Sequence, residues 1–141
     1  MELSDKIPGC LHFSWKEALW LPKWNRASNE SDGLTEEIKQ SLVNTFQWME
    51  KVREFLGPVT VHVALRPEEY NKLVGGASKS MHRIGRAVDF HISGMTCDTA
   101  REKLKEKLEE WKLRMEDNGQ GSSWVHLDDR EPGPAGRFFK P

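Results

Sequence analysis

The sequence predicts an α+β fold, a mostly antiparallel sheet with helices packed on one face, from three observations. Two long segments carry apolar residues on a single helical stripe, three short segments alternate with period two, and no regular strand–helix–strand alternation runs along the chain. A helix with one apolar stripe must bury it against something flat, and half-buried strands supply that surface.

The first helix starts at Thr35, where a hydroxyl suits the N-cap and Glu36 and Glu37 favour the positive helix end. Ile38, Leu42, Phe46, Met49, Val52 and Leu56 then recur at three and four residues until Gly57-Pro58 stops the run. The second helix is read from about Asp98 to Asp117, with Ala100, Leu104, Leu108, Trp111 and Met115 on its stripe and Asn118-Gly119 at its end. Its charge-dense stretch from Arg101 to Glu110 reads as a solvated face.

Strands are read at Val59 to Leu65, Ala87 to Ser93 and Ser123 to Asp128, with a shorter one at Gly136 to Lys140. Parity sorts their side chains. Val59, Val61, Val63 and Leu65 share a face with Val88, Phe90, Ile92, Val125 and Leu127. The other face collects His62, Arg66, Asp89, His91, Trp124, His126 and Asp128. Trp15, Trp20 and Trp24 crowd the N-terminal segment, which is expected to pack as a strap over the helices.

Composition narrows the function classes. The chain has 141 residues, 37% hydrophobic and 30% charged, which suits one domain over residues 1–141 with a substantial core. Lys plus Arg total 21 against 22 for Asp plus Glu, so a net charge of −1 offers no global field for nucleic acid or anionic membrane. The N-terminus lacks the basic-then-apolar pattern of an export signal, and no apolar run approaches the ~18 residues of a membrane span. Synthesis in the cytoplasm and a monomeric state are therefore expected. Cys10 and Cys97 belong to no Cys-x-x-Cys motif and are read as reduced thiols.

Histidines and aspartates on one sheet face suit either a hydrogen-bonded polar surface or a metal or acid–base site. The segment Gly75-Gly76-Ala77-Ser78-Lys79-Ser80-Met81-His82-Arg83-Ile84-Gly85-Arg86-Ala87-Val88-Asp89 favours the latter. It sets one imidazole on a turn and one carboxylate on the strand that follows. Zinc accepts both at about 2.0–2.2 Å, and a third donor from His126 leaves one tetrahedral position open.

The motifs Ser80-x-His82-x-x-Gly85-x-Ala87-x-Asp89 and Trp124-Val125-His126-Leu127-Asp128 resemble those of the M15 family of zinc peptidases, the D-Ala-D-Ala carboxypeptidase and dipeptidase group related to the hedgehog signalling domain. Similarity extends to His12-Phe13-Ser14 and to Arg66-Pro67-Glu68-Glu69-Tyr70-Asn71. The resemblance implies His82, Asp89 and His126 as zinc ligands, and Arg66 as the group that holds a substrate carboxylate or steadies an oxyanion. It also implies zinc-dependent hydrolysis of amide bonds in peptidoglycan stem peptides, at a bond involving a D-amino acid. The missing export signal then fits either a phage-type lytic enzyme released onto the cell wall or a cytoplasmic dipeptidase.

One departure stands out. Many members carry an acid three positions before the last histidine, where this chain has Ser123, which cannot serve as a general base at neutral pH. Asp128 is the preferred replacement by parity, with His91 and His62 on the same face. His91 is also a candidate for orienting a metal ligand. The alternative is a catalytically inactive zinc-binding interaction domain of the same fold.

Overall fold

The tryptophan-rich N-terminal segment folds as a strap: α1 (Trp15–Leu19) runs into a small antiparallel hairpin of β1 (Trp20–Leu21) and β2 (Arg26–Ala27). In the computed structural model, which describes residues 1–141, Trp15 is buried in the core and Leu65 N–H donates to the Ala18 carbonyl at 3.3 Å. Trp24 packs edge-on against Tyr70, whose hydroxyl accepts from Lys23 N–H at 3.0 Å. The strap thus leans on the chain that leaves the sheet as well as on the helices.

Helix α2 (Glu36–Leu56) follows the expected stripe. Thr35 Oγ1 accepts from Ile38 N–H at 3.2 Å, and Gly57, at a φ of 105°, ends the helix where other residues would be strained. Leu42, Phe46, Met49 and Val52 are fully buried. Burying each such side chain stabilises the fold by roughly 1.5–3 kcal/mol relative to exposure.

After α2 come β3 (Val59–Val63), the short α3 (Glu68–Leu73), β4 (Ala87–Ile92), α4 (Cys97–Lys105), α5 (Leu108–Trp111), β5 (Arg114–Glu116), β6 (Val125–Asp128) and β7 (Phe138–Phe139). The sheet order is β3-β4-β6-β5-β7, with every pairing antiparallel except β5 with β7. Val88, Phe90, Ile92, Val125 and Leu127 join the α2 and α4 stripes in one cluster of 25 buried residues. The fold is α+β, with helices on the apolar face of the sheet.

Two expectations about elements need correction. The second helix does not reach Asp117: it breaks after Lys105, ends at Trp111, and gives way to β5. Lys112 adopts a left-handed φ of 58°, which turns the chain, and Met115 reaches the core by pairing with Leu127 and Phe138 instead of by helical spacing. Nor is Arg101 solvated, being only 4% exposed. Its guanidinium donates to Asp98 Oδ1 at 2.5 Å, to the Trp124 carbonyl at 3.0 Å and to the Gly119 carbonyl at 3.1 Å, clamping the loop that leads into β6.

The second correction concerns β3. Thr60 pairs with His91 and Val61 with Phe90, but the register then shifts so that Val63 faces Asp89. His62 is the extra residue of a bulge, and the bulge reverses parity beyond it. Val63 therefore belongs to the Asp89 face, not to the apolar face of Val59 and Val61. The chain leaves the strand before Arg66, which reaches the same side through a turn fixed by its own N–H donating to the His82 carbonyl at 2.9 Å.

Candidate metal centre

The segment before β4 explains its own residue types. Ser80 caps a single 3-10 turn, its Oγ accepting from His82 N–H at 3.2 Å. Gly85 ends that turn at a φ of 75°, and a Cβ there would stand 3.0 Å from Leu42 Cγ on α2. Thr45 on the same helix donates its hydroxyl to the Gly85 carbonyl at 2.7 Å. Ala87 is fully buried, and two residues later Asp89 turns to the open face.

His82 and His126 meet Asp89 at one point. His82 Nε2 lies 3.1 Å and His126 Nδ1 2.8 Å from Asp89 Oδ1, and the three donor atoms fall within 4.8 Å of one another. His82 is fully buried and its other nitrogen, Nδ1, sits 2.6 Å from the Ala64 carbonyl. A carbonyl can only accept, so Nδ1 carries a proton, and Nε2 is the nitrogen turned toward Asp89. On His126 the outer nitrogen is Nε2, 2.8 Å from Asp128 Oδ2. Asp128 is held in turn by both Arg114 nitrogens, Nε at 2.8 Å and Nη2 at 2.9 Å, with Phe139 packed over the guanidinium.

This arrangement fits a zinc ion. Two imidazole nitrogens this close to one carboxylate oxygen require a proton or a cation between them. Ligands at zinc's bond lengths stand about 3.3 Å apart in a tetrahedron, and the two separations from Asp89, 3.1 and 2.8 Å, reach that with a shift of about half an ångström or less. Outer nitrogens tied to a carbonyl and a carboxylate are the partners that orient metal-binding histidines. Without a metal, protons take its place. Burial works against the charged form of His126, but its hydrogen bonds to Asp128 and Asp89 prevail and raise its pKa to about 9. Burial likewise opposes ionisation of Asp89, yet His82 and His126 hold its carboxyl far below the usual range. Asp128, despite burial, is held at about 2 by His126 and Arg114.

The centre lies in an open cleft of about 510 Å³ whose lining includes Arg66, Ser80, Asp89, Glu116, Trp124 and Phe139. Trp124 is 37% exposed and forms a wall of the cleft. Burial lowers the pKa of Arg66, with Asp89 opposing. The guanidinium has one long contact, to Ser80 Oγ at 3.4 Å, and its Nε is buried without a partner. Asn71, the last residue of the Arg66–Asn71 segment, shapes this corner. Its Nδ2 donates to the Ala77 carbonyl at 2.9 Å, and a Cβ on Gly76 would fall 2.0 Å from its Oδ1.

Three other histidines are elsewhere. His12 is bound to Glu50, Nδ1 to Oε2 at 2.8 Å, and anchors the N-terminal strap. His62 and His91 turn to each other, Nε2 to Nδ1 at 2.6 Å, beside a separate hollow that also contains Ser123. Burial and the neighbouring His91 push the pKa of His62 down. His91 therefore does not orient a residue of the metal centre, and Ser123 does not line its cleft. Asp128 is 1% exposed, with its oxygens committed to Arg114 and His126, which leaves it no free face toward a substrate.

Glu116 is the residue that sequence reasoning missed. The Arg114–Asp128 and Met115–Leu127 pairs set it opposite His126, on the same face. Reading residues 114–116 as helix hid this position, and the alternation of Arg114, Met115 and Glu116 was the only available signal.

An α+β sheet presenting two histidines and an aspartate to one point in an open cleft is the arrangement of a metal-binding domain. The chain matches the family model described as Peptidase M15 over residues 22–128. It belongs to the M15 peptidase family, whose members are zinc-dependent metallopeptidases. No curated protein matches it. No helix is long and apolar enough to cross a membrane.

Proposed function

We propose that this protein hydrolyses amide bonds in peptidoglycan stem peptides, at a bond involving a D-amino acid, with zinc held by His82, Asp89 and His126. The observation that carries the metal assignment is the pair of histidines whose outer nitrogens are tied off while their inner nitrogens converge on Asp89. The substrate class rests on family resemblance, and the cleft supports it. Arg66, Lys79, Arg130 and Lys140 line it without an ion-pair partner, which suits a peptide rich in carboxylates.

Zinc, when bound, supplies a Lewis acid that activates water and polarises a carbonyl. The chain's own residues do the rest. Arg66 has guanidinium donors to spare and holds the oxygen on which negative charge develops. Asp128 fixes the ring of His126 and so acts through it. Glu116 replaces Asp128 as the general base. It lines the cleft beside the donor cluster, and its carboxylate makes no hydrogen bond or ion pair, which leaves it free to take a proton from a water. The open cleft admits an extended peptide.

A zinc-binding domain without activity is the second reading, favoured by Ser123. Metal analysis and hydrolysis of stem-peptide fragments by mass spectrometry separate the two. We expect one tightly held zinc at this centre and cleavage that chelator and H126A abolish. A folded, zinc-loaded parent that cleaves no stem peptide overturns the peptidase assignment in favour of the second reading. A folded parent that takes up no zinc overturns both.

A further inference from the structure

We propose that His62 and His91 form a second transition-metal site, separate from the first and independent of the hydrolytic reading. The two residues come from neighbouring antiparallel strands. The bulge in β3 leaves His62 without an opposite residue, and its ring turns across to His91. Their nearest nitrogens are 2.6 Å apart with the ring planes at 78°.

The pair has no evident structural role. His12 is bound to a glutamate, and His82 and His126 to a carbonyl and carboxylates, but His62 and His91 make no side-chain hydrogen bond except to each other. His62 Nδ1 and His91 Nε2 are unpaired, so nothing fixes either tautomer. Two such nitrogens this close require one shared proton or one cation. Ligands bound at about 2.0–2.1 Å stand about 3.3 Å apart, so a metal needs the rings to part by under an ångström. His62 is exposed and His91 half-buried, so both are free to do so.

Imidazole suits zinc, nickel and copper among the divalent ions. The adjoining hollow, of about 520 Å³, is open to solvent and bordered by Thr96, Asp98 and Ser123. No third histidine, cysteine or carboxylate joins the pair within ligand distance, so water completes the coordination. The site is therefore weaker than the three-donor centre and fills after it.

Equilibrium dialysis of the whole chain against zinc or nickel, read by elemental analysis, tests this. The parent is expected to hold two ions, H62N and H91N one each, and H82A to lose the tighter ion while keeping the weaker. Both asparagine variants replace side chains outside the core, and circular dichroism checks that they fold. As a second measurement, copper(II) added to the parent holding one zinc should give an electron paramagnetic resonance signal split by two imidazole nitrogens, and H62N should lose that splitting. A parent that saturates at one ion, asparagine variants that bind as many ions as the parent, or a copper signal without nitrogen coupling overturns the proposal.

Discussion

His126 Nε2 lies 2.8 Å from Asp128 Oδ2, and Arg114 grips the same carboxylate through two nitrogens. A buried line from guanidinium to carboxylate to imidazole thus sets the direction in which His126 offers its other nitrogen. The D128N variant keeps the shape but loses the charge that Arg114 and the imidazole require. Zinc affinity should fall about 10–100-fold, measured by competition with a chromophoric chelator. Unchanged affinity would remove Asp128 from any role in orienting the ligand.

Glu116 stands opposite His126 on the edge side of β6. E116Q should bind zinc as the parent does and lose about 10²–10⁴-fold in kcat, the range of a general base, with the acid limb of its pH profile gone. A variant with near-parent turnover would return the base to an unidentified group.

Gly85 has a left-handed φ of 75° and sits against Leu42. G85A adds about 1–2 kcal/mol of backbone strain and pushes on a fully buried side chain. Its denaturation midpoint should fall with or without metal. A midpoint equal to the parent's would show that α2 can yield at this contact.

Glu50 ties the N-terminal strap to α2 through His12. Burial opposes its ionisation, but hydrogen bonds from the His12 ring and backbone hold its pKa below the ordinary 4.5. A carboxyl whose folded pKa lies below its unfolded one adds stability above the unfolded value, and that contribution fades as pH falls through the folded value. The parent should therefore exceed E50Q in stability near neutral pH, with the gap closing below about pH 4.5. A gap that persists in strong acid would assign the loss to packing instead.

The sequence by itself determined the fold class, helix α2 with both ends, and the apolar faces of β4 and β6. These follow from local spacing, because a stripe at helical period or an alternation of two leaves one way to bury it. It also named His82, Asp89 and His126, whose motifs carry the family resemblance. The tertiary structure decided the rest. Met115 satisfies a helical stripe and a strand equally well, and only its pairing with Leu127 and Phe138 resolves the ambiguity that hid Glu116. Arg101 looks solvated in a run of charges, and only the carbonyls of a loop some twenty residues later bury it. Parity placed Asp128 on the right face but could not show that Arg114 and His126 occupy it. His62 faces His91 because one extra residue bulges the strand, which depends on how β3 meets β4 and so on residues far away in the chain.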